Sequence, residues 1–213
     1  ALGGVILVVL LNGFLAFAGR VMIRLSRSDA LPDEMEPLTG LLNREAFYQK
    51  AATLLASRTR DDDRYFVLAV INIDSYSALV GMGGSSAGSR ARVDVARALR
   101  QTIRHNAVLA HIAGAEFLIA DSFTAADSSP LIERVLAAVA ATPSHVTVSV
   151  GAVSTPLRPL TSHAPNDILD EVIAIATSAM YTARGNGGNQ PRYVLAPPLT
   201  VLNHTDGADG YHG

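Results

Sequence analysis

The sequence predicts an α+β domain: a mainly antiparallel central sheet with helices packed on its faces. Helical and strand-like hydrophobic periods alternate between Pro37 and Val194. One segment, 65–73, is an almost continuous apolar run, as expected of a central strand covered on both faces. Gly114 stands in a tight turn between two short apolar segments, which predicts a β-hairpin.

Composition sets limits on the function. Of the 213 residues, 49% are hydrophobic and 17% are charged, which excludes a disordered chain. The formal net charge of −2 gives no support for a nucleic-acid partner recognised by bulk charge. The chain has no cysteine, so it has no disulfide, no thiolate metal site and no cysteine nucleophile.

Residues 1–25 are predicted to form a transmembrane helix. The first nineteen residues are apolar or small apart from Asn12, and a helix of that length spans roughly 28 Å, close to the bilayer core. Arginines follow at positions 20, 24 and 27, which indicates a cytoplasmic flank. We therefore expect the inner (cytoplasmic) membrane, with the following domain in the cytoplasm.

Two alternatives to a membrane span are a signal peptide and a buried helix of a soluble protein. A signal peptide fits poorly because the charges follow the apolar run instead of preceding it. Few buried helices of soluble proteins are apolar on every face. Residues 26–36 are polar and are predicted to be a linker into the soluble domain, residues 37–195.

The first half of the soluble domain opens with Asn43, a plausible N-cap for a helix that runs to about Ser57. Three acids at 61–63 then predict a solvated loop before the strand at 65–73. The Gly/Ser-rich segment 81–89 predicts a turn that leads into a helix from about Ser86 to His105. A loop of this kind can bind phosphate through free backbone N–H groups, but this one lacks the Walker pattern and its lysine.

The second half begins with the hairpin and ends in a predicted flexible tail. The hairpin strands are expected at 108–112 and 116–120, and the tail at 196–213, which is rich in Gly, Asp and His. The remaining expected elements are a helix at 130–141, a strand at 145–154, a helix at 168–184 stopped by Gly185 to Gly188, and a strand at 193–195.

Four ordered stretches of this domain resemble the GGDEF domain of diguanylate cyclases. Residues 36–44, EPLTGLLNR, resemble the opening D-x-L-T-G-L-x-N-R motif, and 71–74, INID, stand at the D-I-D strand end. Residues 113–117, AGAEF, stand at the signature turn. The S-x-G strand and the A-L-Y-x-A-K ending are matched by 148–151 and 179–184.

The resemblance implies a fold similar to the palm of nucleotide cyclases and polymerases. It implies a reaction that joins two GTP molecules into cyclic di-GMP, with one GTP on each domain of a homodimer. It also implies Mg²⁺, which the family holds with the first Asp of D-I-D and the acid at the third place of the signature turn. GTP and cyclic di-GMP are therefore the expected ligands.

This sequence departs from the family at both metal positions, where Asn72 and Ala115 replace the acids. Asparagine keeps an oxygen but no charge, and alanine supplies no ligand, so we assign no catalytic residue and no metal ligand; Mg²⁺ is expected only if the chain is active. Asp74 and Glu116 remain as nearby acids, with either a structural role or a role at the ligand. The candidate nucleotide-binding residues are Ile73, Asp74, Ser75, Tyr76, Gly114, Glu116 and Arg184.

The positions for guanine recognition and for product inhibition are altered as well. Val80 and Ser89 stand where the family reads guanine with Asn and Asp, and Ser77 stands where a phosphate-contacting lysine is common. Guanine presents N–H donors, and an unpaired buried donor costs about 1–3 kcal/mol. The R-x-x-D inhibition motif keeps Arg104 but has Ala107 in place of its acid.

Three functions are compatible with these residues. The first is a degenerate GGDEF domain without cyclase activity that serves as a regulatory, dimerising or nucleotide-sensing module below a membrane helix. The second is an active diguanylate cyclase in which Asp74 and Glu116 have taken over metal binding. The third is a different binding function, with another nucleotide at 81–89 or a partner protein at the hairpin.

Overall fold

The computed structural model describes residues 34–56 and 64–203. Contacts divide the chain into two units, residues 1–35 and 36–213, and the second contains every element that follows. In chain order these are α1 Arg44–Ala56, β1 Tyr65–Ile73, α2 Tyr76–Thr102, β2 Val108–Ala113, β3 Glu116–Phe123, α3 Ser129–Ala140, β4 Val148–Pro156, a 3₁₀ turn Arg158–Ser162, α4 Pro165–Gly185, β5 Pro191–Leu195 and α5 Thr200–Asn203.

The five strands form one mixed sheet in the order β2-β3-β1-β4-β5. β1 pairs antiparallel with both β3 and β4, and β2 pairs antiparallel with β3. The β4–β5 pair is parallel. The predicted α+β class and the mainly antiparallel sheet are therefore confirmed. The central place of β1 explains its apolar sequence, because a strand with neighbours on both edges and helices on both faces has little access to water.

Alternating side chains of β1 supply the two halves of the core. Phe66, Leu68 and Val70 pack with the buried residues of α1 and α4 on one face. Val67 and Ile71 pack with α2 and α3 on the other face. This alternation follows from the two-residue period of a strand, which sends successive side chains to opposite faces. Side chains at even positions of β1 therefore belong to the face covered by α1 and α4.

Gly151 of β4 marks a close approach of α4 to the sheet. A Cβ atom added there would lie 1.9 Å from the Ala176 carbonyl oxygen and 2.4 Å from the Met180 backbone nitrogen. No side chain fits between these backbones. The glycine at this position is therefore required for α4 to lie against the sheet.

The prediction of a Gly/Ser loop at 81–89 is wrong. Helix α2 already begins at Tyr76 and is interrupted at Gly84, whose φ of 72° and ψ of 178° are not helical. The reason is tertiary packing at Gly88, where an added Cβ would lie 2.7 Å from both Tyr76 Oη and Val80 Cγ2. The missing side chain lets the first part of α2 fold against the second, and this contact overrides the local preference of glycine for turns.

The prediction of a flexible tail at residues 196–213 is wrong for its first part, which is ordered as far as residue 203. Leu199 is buried with 2% of its surface exposed, and α5 follows it. The Glu171 carboxylate on α4 accepts hydrogen bonds from the amides of Thr200 and Val201 at 2.6 and 3.1 Å. Residues 204–213 lie outside the described part, as does the acidic run 61–63.

The predicted transmembrane helix, residues 1–25, and most of the predicted linker, 26–36, also lie outside the described residues. Within 34–56 and 64–203, no helix is both long enough and apolar enough to cross a bilayer.

Candidate functional site

The candidate site lies at the end of β1, on the face covered by α1 and α4. Asn72 is directly opposite Glu116 of β3 and Ser149 of β4 in the sheet register. Arg184, near the end of α4, donates a hydrogen bond from Nη1 to Asn72 Oδ1 at 3.4 Å. The structure therefore brings Asn72, Glu116 and Arg184 together, although Arg184 is far from the other two in sequence.

Burial is the main influence on the pKa of the Glu116 carboxyl. Loss of solvent raises the pKa of its carboxyl, while the positive charge of Arg44, the first residue of α1, acts in the opposite direction. Across the described ranges, no three His, Cys, Asp or Glu side chains converge in a way that could hold a metal ion. Glu116 is therefore influenced by the positive charge of Arg44, and in the described residues it is not part of a carboxylate cluster that could hold a metal.

Asp74 is held by three donors from two segments of the protein, the start of β4 and the turn after α4. Its carboxylate accepts hydrogen bonds from Thr147 Oγ1 at 2.8 Å, Ser149 Oγ at 2.6 Å and the Asn189 amide at 2.8 Å. Gly188 lies so close that an added Cβ would be 3.0 Å from this carboxylate. Asp74 thus fastens the Gly/Asn turn after α4 to the strands β1 and β4.

The next two candidates, Ser75 and Tyr76, lie at the start of α2. Ser75 has a φ of 51°, in the left-handed region, and its carbonyl oxygen accepts a hydrogen bond from Leu79 N at 3.0 Å. Tyr76 packs against the core on the α2 and α3 face. The side chain of Tyr76 therefore lies on the opposite face of the sheet from Asn72.

Ile73 connects the end of β1 to the hairpin. Its side chain is fully buried, and its backbone N–H donates to the Ala115 carbonyl oxygen at 3.0 Å. The hairpin turn itself is made by Gly114, whose φ is 52°. Ile73 and Gly114 therefore fix the turn that carries Ala115 relative to Asn72.

His111 is a residue of this region that the sequence analysis missed. It is 2% exposed, and its ring stacks on Phe117 with the centroids 4.8 Å apart. Its Nε2 lies 3.0 Å from the Gly114 carbonyl oxygen, and its Nδ1 lies 3.0 Å from Glu36 Oε2. The signal was a single histidine within the apolar strand VLAHIA.

Glu36, the other end of this contact, is an ionised carboxylate. Burial by itself raises its pKa, but hydrogen bonds from the Thr39 side chain, His111 and the amides of Thr39 and Leu38 outweigh burial and lower the pKa to about 2. The Thr39 hydroxyl and amide donate to Oε2 at 2.6 and 2.8 Å. Through His111, the opening segment is thus joined to the hairpin turn.

The positions expected to read a purine base carry no acceptor comparable to a carboxylate. Val80 packs with Tyr76 against Gly88. Ser89 Oγ accepts a hydrogen bond from Arg92 Nη2 at 3.2 Å. The part of α2 expected to read the base is therefore apolar at Val80 and basic at Arg92.

Arg104 lies away from this site, in a cavity of about 170 Å³ that Asp121, Asp127 and Arg134 also line. Its guanidinium stacks over the Phe123 ring at 4.8 Å from the centroid. The carboxylate of Asp121 accepts a hydrogen bond from the Ser122 amide at 2.8 Å. The retained arginine of the R-x-x-D segment is therefore packed on an aromatic ring.

Comparison with known proteins decides the family. The family model described as diguanylate cyclase, GGDEF domain, matches residues 34–190. The chain belongs to the GGDEF family. The GGDEF motif positions can therefore be named in this structure: Asn72 begins the D-I-D segment, and Ala115 is the third residue of the signature turn.

Two curated relatives are diguanylate cyclases by name. Diguanylate cyclase DgcP of Pseudomonas aeruginosa is 31% identical over 169 residues, which is 76% of this chain and 23% of DgcP. Probable diguanylate cyclase DgcT of Escherichia coli is 28% identical over 166 residues, 73% of this chain and 34% of DgcT. The chain thus spans about a quarter to a third of the length of these relatives.

Solved structures share the GGDEF fold. The GGDEF domain of DgcB from Caulobacter crescentus, in complex with c-di-GMP, aligns with a TM-score of 0.65 at 19% identity, over 77% of this chain and 97% of that domain. Diguanylate cyclase SiaD of Pseudomonas aeruginosa, in complex with its activator SiaC, aligns with a TM-score of 0.64 at 24% identity, over 86% of this chain and 70% of SiaD. At these identities the likeness establishes the fold.

Proposed function

We propose that this chain is a degenerate GGDEF domain without cyclase activity, acting as a regulatory, dimerising or nucleotide-sensing module in cyclic di-GMP signalling. The observation that carries the proposal is the pair Asn72 and Ala115 at the two metal positions. Mg²⁺ is bound in proteins through one or two carboxylates together with substrate phosphates. Here the side-chain donors are reduced to one uncharged oxygen, which accepts a hydrogen bond from Arg184.

The chemistry explains why this loss would end catalysis. Phosphoryl transfer depends on positioning and on metal ions that neutralise the charge developing on the phosphate. A site that cannot hold the metal loses both contributions. The GGDEF scaffold remains, so binding of a nucleotide or a second domain does not require the reaction.

The alternative, an active diguanylate cyclase with unusual ligands, requires Asp74 and Glu116 to hold the metal. Asp74 is engaged by three protein donors, and its release would free the turn after α4. Glu116 lies beside Arg44, whose positive charge opposes a cation. These contacts favour the inactive domain.

Membrane tethering is part of the proposal and rests on the apolar run and the arginines of residues 1–25. On this basis the module is attached to the inner membrane, with the GGDEF domain in the cytoplasm. The proposed homodimer and the ligands GTP and cyclic di-GMP follow from family membership.

A cyclase assay on the full chain tests the proposal. The protein is incubated with GTP and either Mg²⁺ or Mn²⁺, and cyclic di-GMP is measured by mass, with an active diguanylate cyclase as the control. We expect no product at high protein concentration. Clear turnover would overturn the proposal and would favour Asp74 and Glu116 as replacement ligands.

Thermal-shift measurements with GTP, cyclic di-GMP and ATP test the nucleotide-sensing part separately. A ligand that binds the folded chain raises its stability by mass action. A rise with GTP or cyclic di-GMP supports sensing, whereas no rise with either limits the module to regulation or dimerisation through protein contacts.

A further inference from the structure

The charges around Asn72 differ from those of a metal site. Arg184 contacts Asn72, and Arg44 acts on Glu116. Asp74 is the second acid nearby, and three protein donors satisfy its carboxylate. An arginine therefore contacts the side chain at Asn72, and the nearby Asp74 already has three hydrogen-bond donors from the protein. Two more acids would stand here in the family pattern.

The missing acids change what a phosphate meets. Carboxylates and phosphates repel each other, so a site that contains both needs a cation between them. With Asn72 and Ala115 in place, that repulsion is absent. A phosphate can then pair directly with a guanidinium, whose planar donors suit phosphate oxygens.

Arg184 is placed for this role. It lies near the end of α4, exposed to solvent, and its Nη1 contacts the side chain at the first metal position. A guanidinium stays charged at all physiological pH values. A fixed cation thus stands beside the position where the family places its metal ligand.

From these contacts we infer that the site binds the phosphates of a nucleotide without a divalent cation, with Arg184 supplying the positive charge. The inference rests on the proposed nucleotide-sensing function and assigns its ligand as a metal-free nucleoside polyphosphate. The positive charge of Arg44, which acts on Glu116, offsets part of the repulsion between the Glu116 carboxylate and a phosphate. Mg²⁺ is not required, because no carboxylate at Asn72 or Ala115 needs to be screened.

The test is a calorimetric titration of the full chain with GTP, performed once in EDTA and once in Mg²⁺. We expect the affinity in EDTA to be equal to or higher than the affinity in Mg²⁺. Arg184→Gln should weaken binding in EDTA by about tenfold or more, because it removes a charge-assisted hydrogen bond to phosphate.

Arg97→Gln is the matched control. Arg97 is also a helical arginine, with 64% of its side chain exposed, but it lies on α2, which covers the other face of the sheet. Its substitution removes the same charge from the protein and should leave the GTP affinity unchanged. An equal loss in both variants would show a nonspecific effect of net charge and would overturn the assignment of Arg184.

The titration separates this inference from the proposed function. Binding that requires Mg²⁺ would overturn the metal-free site and leave nucleotide sensing in place. No binding in either buffer would overturn the metal-free site together with nucleotide sensing, and would leave a regulatory or dimerising module. Binding in EDTA that Arg184→Gln removes would support both.

Discussion

Two positions at the end of β1, Asn72 in the strand and Asp74 directly after it, differ in what their side chains contact. The carboxylate of Asp74 accepts hydrogen bonds from Thr147, Ser149 and Asn189, all supplied by the protein. Asn72 accepts one long hydrogen bond, at 3.4 Å, from the exposed Arg184. An acid with three protein donors therefore stands at position 74, and an uncharged side chain with one long hydrogen bond stands at position 72.

The difference indicates that, at the end of β1, the side chain that stabilises the fold and the side chain available to a ligand are separate residues. An acid whose role is to bind an external cation has no protein partner when the cation is absent. Other negative charges near it then destabilise the protein. Its replacement therefore costs little stability. An acid with several protein donors leaves those donors unsatisfied when it is removed.

The largest expected effect comes from Gly151→Ala. The new Cβ would lie 1.9 Å from the Ala176 carbonyl oxygen, so α4 would have to leave the sheet. We expect the free energy of unfolding to fall by about 3 kcal/mol or more, or the protein not to fold. Chemical denaturation measures the change.

Gly81→Ala is the control for this prediction. Gly81 lies in α2 with nothing within 4 Å of an added Cβ. Its substitution should be neutral or stabilising by about 0.5–1 kcal/mol, because alanine favours the helix. Equal stabilities of the two variants would contradict the close contact between α4 and β4.

Asp74→Ala and Asn72→Ala test the comparison directly. Asp74→Ala removes the acceptor of three donors and should lower the free energy of unfolding by about 2–3 kcal/mol. Asn72→Ala should change it by less than about 0.5 kcal/mol. Urea denaturation of both variants under one condition compares their losses in the free energy of unfolding. Similar losses would show that Asn72 has a structural role as well.

Glu36 gives a pH-dependent contribution of intermediate size. Its pKa is about 2 in the folded protein against an ordinary value of 4.5. A lowered folded pKa stabilises the protein above the ordinary value, and this stabilisation is lost as the pH falls from 4.5 towards 2. Allowing for solvent screening, we expect about 1 kcal/mol at neutral pH.

Denaturation as a function of pH checks this contribution, with Glu36→Gln as the comparison. The glutamine variant should be less stable at neutral pH, and the difference from the native chain should shrink between pH 4.5 and 2. Parallel curves of stability against pH across this range would mean that the contacts of Glu36 with Thr39 and His111 do not stabilise its ionised form.

The smallest expected change in stability belongs to the double substitution Asn72→Asp with Ala115→Asp. Without metal, the added acids should change the free energy of unfolding by no more than about 0.5 kcal/mol, since both positions are at most partly buried. With Mg²⁺ and a GTP analogue, the variant should gain stability and bind the metal, because two carboxylates are restored.

Calorimetry with Mg²⁺ and the analogue measures that gain against the native chain. Absence of any gain would show that Asn72 and Ala115 are not the positions that decide metal binding. The proposed lack of cyclase activity would then need a cause other than the absence of these two charges.

Much of the fold could be predicted from local patterns. The central strand was predicted from the apolar run at 65–73, and the helix cap from Asn43, whose Oδ1 accepts the Ala46 amide at 2.9 Å. The helix at 81–89 and the helix at 200–203 were missed, because the packing of Gly88 against Tyr76 and Val80 and the burial of Leu199 in the core give no signal in the local sequence.

The sequence by itself determined most of the elements and which residues stand at the motif positions, because hydrophobic period and residue identity are local properties. The tertiary structure decided what the remaining polar groups do. Asp74 meets donors 73 to 115 residues away, and Arg184 meets Asn72 across 112 residues. Such pairs exist once the sheet register and the packing of α4 bring distant segments together, and for that reason the roles of Asp74, His111 and Arg184 were visible in the fold alone.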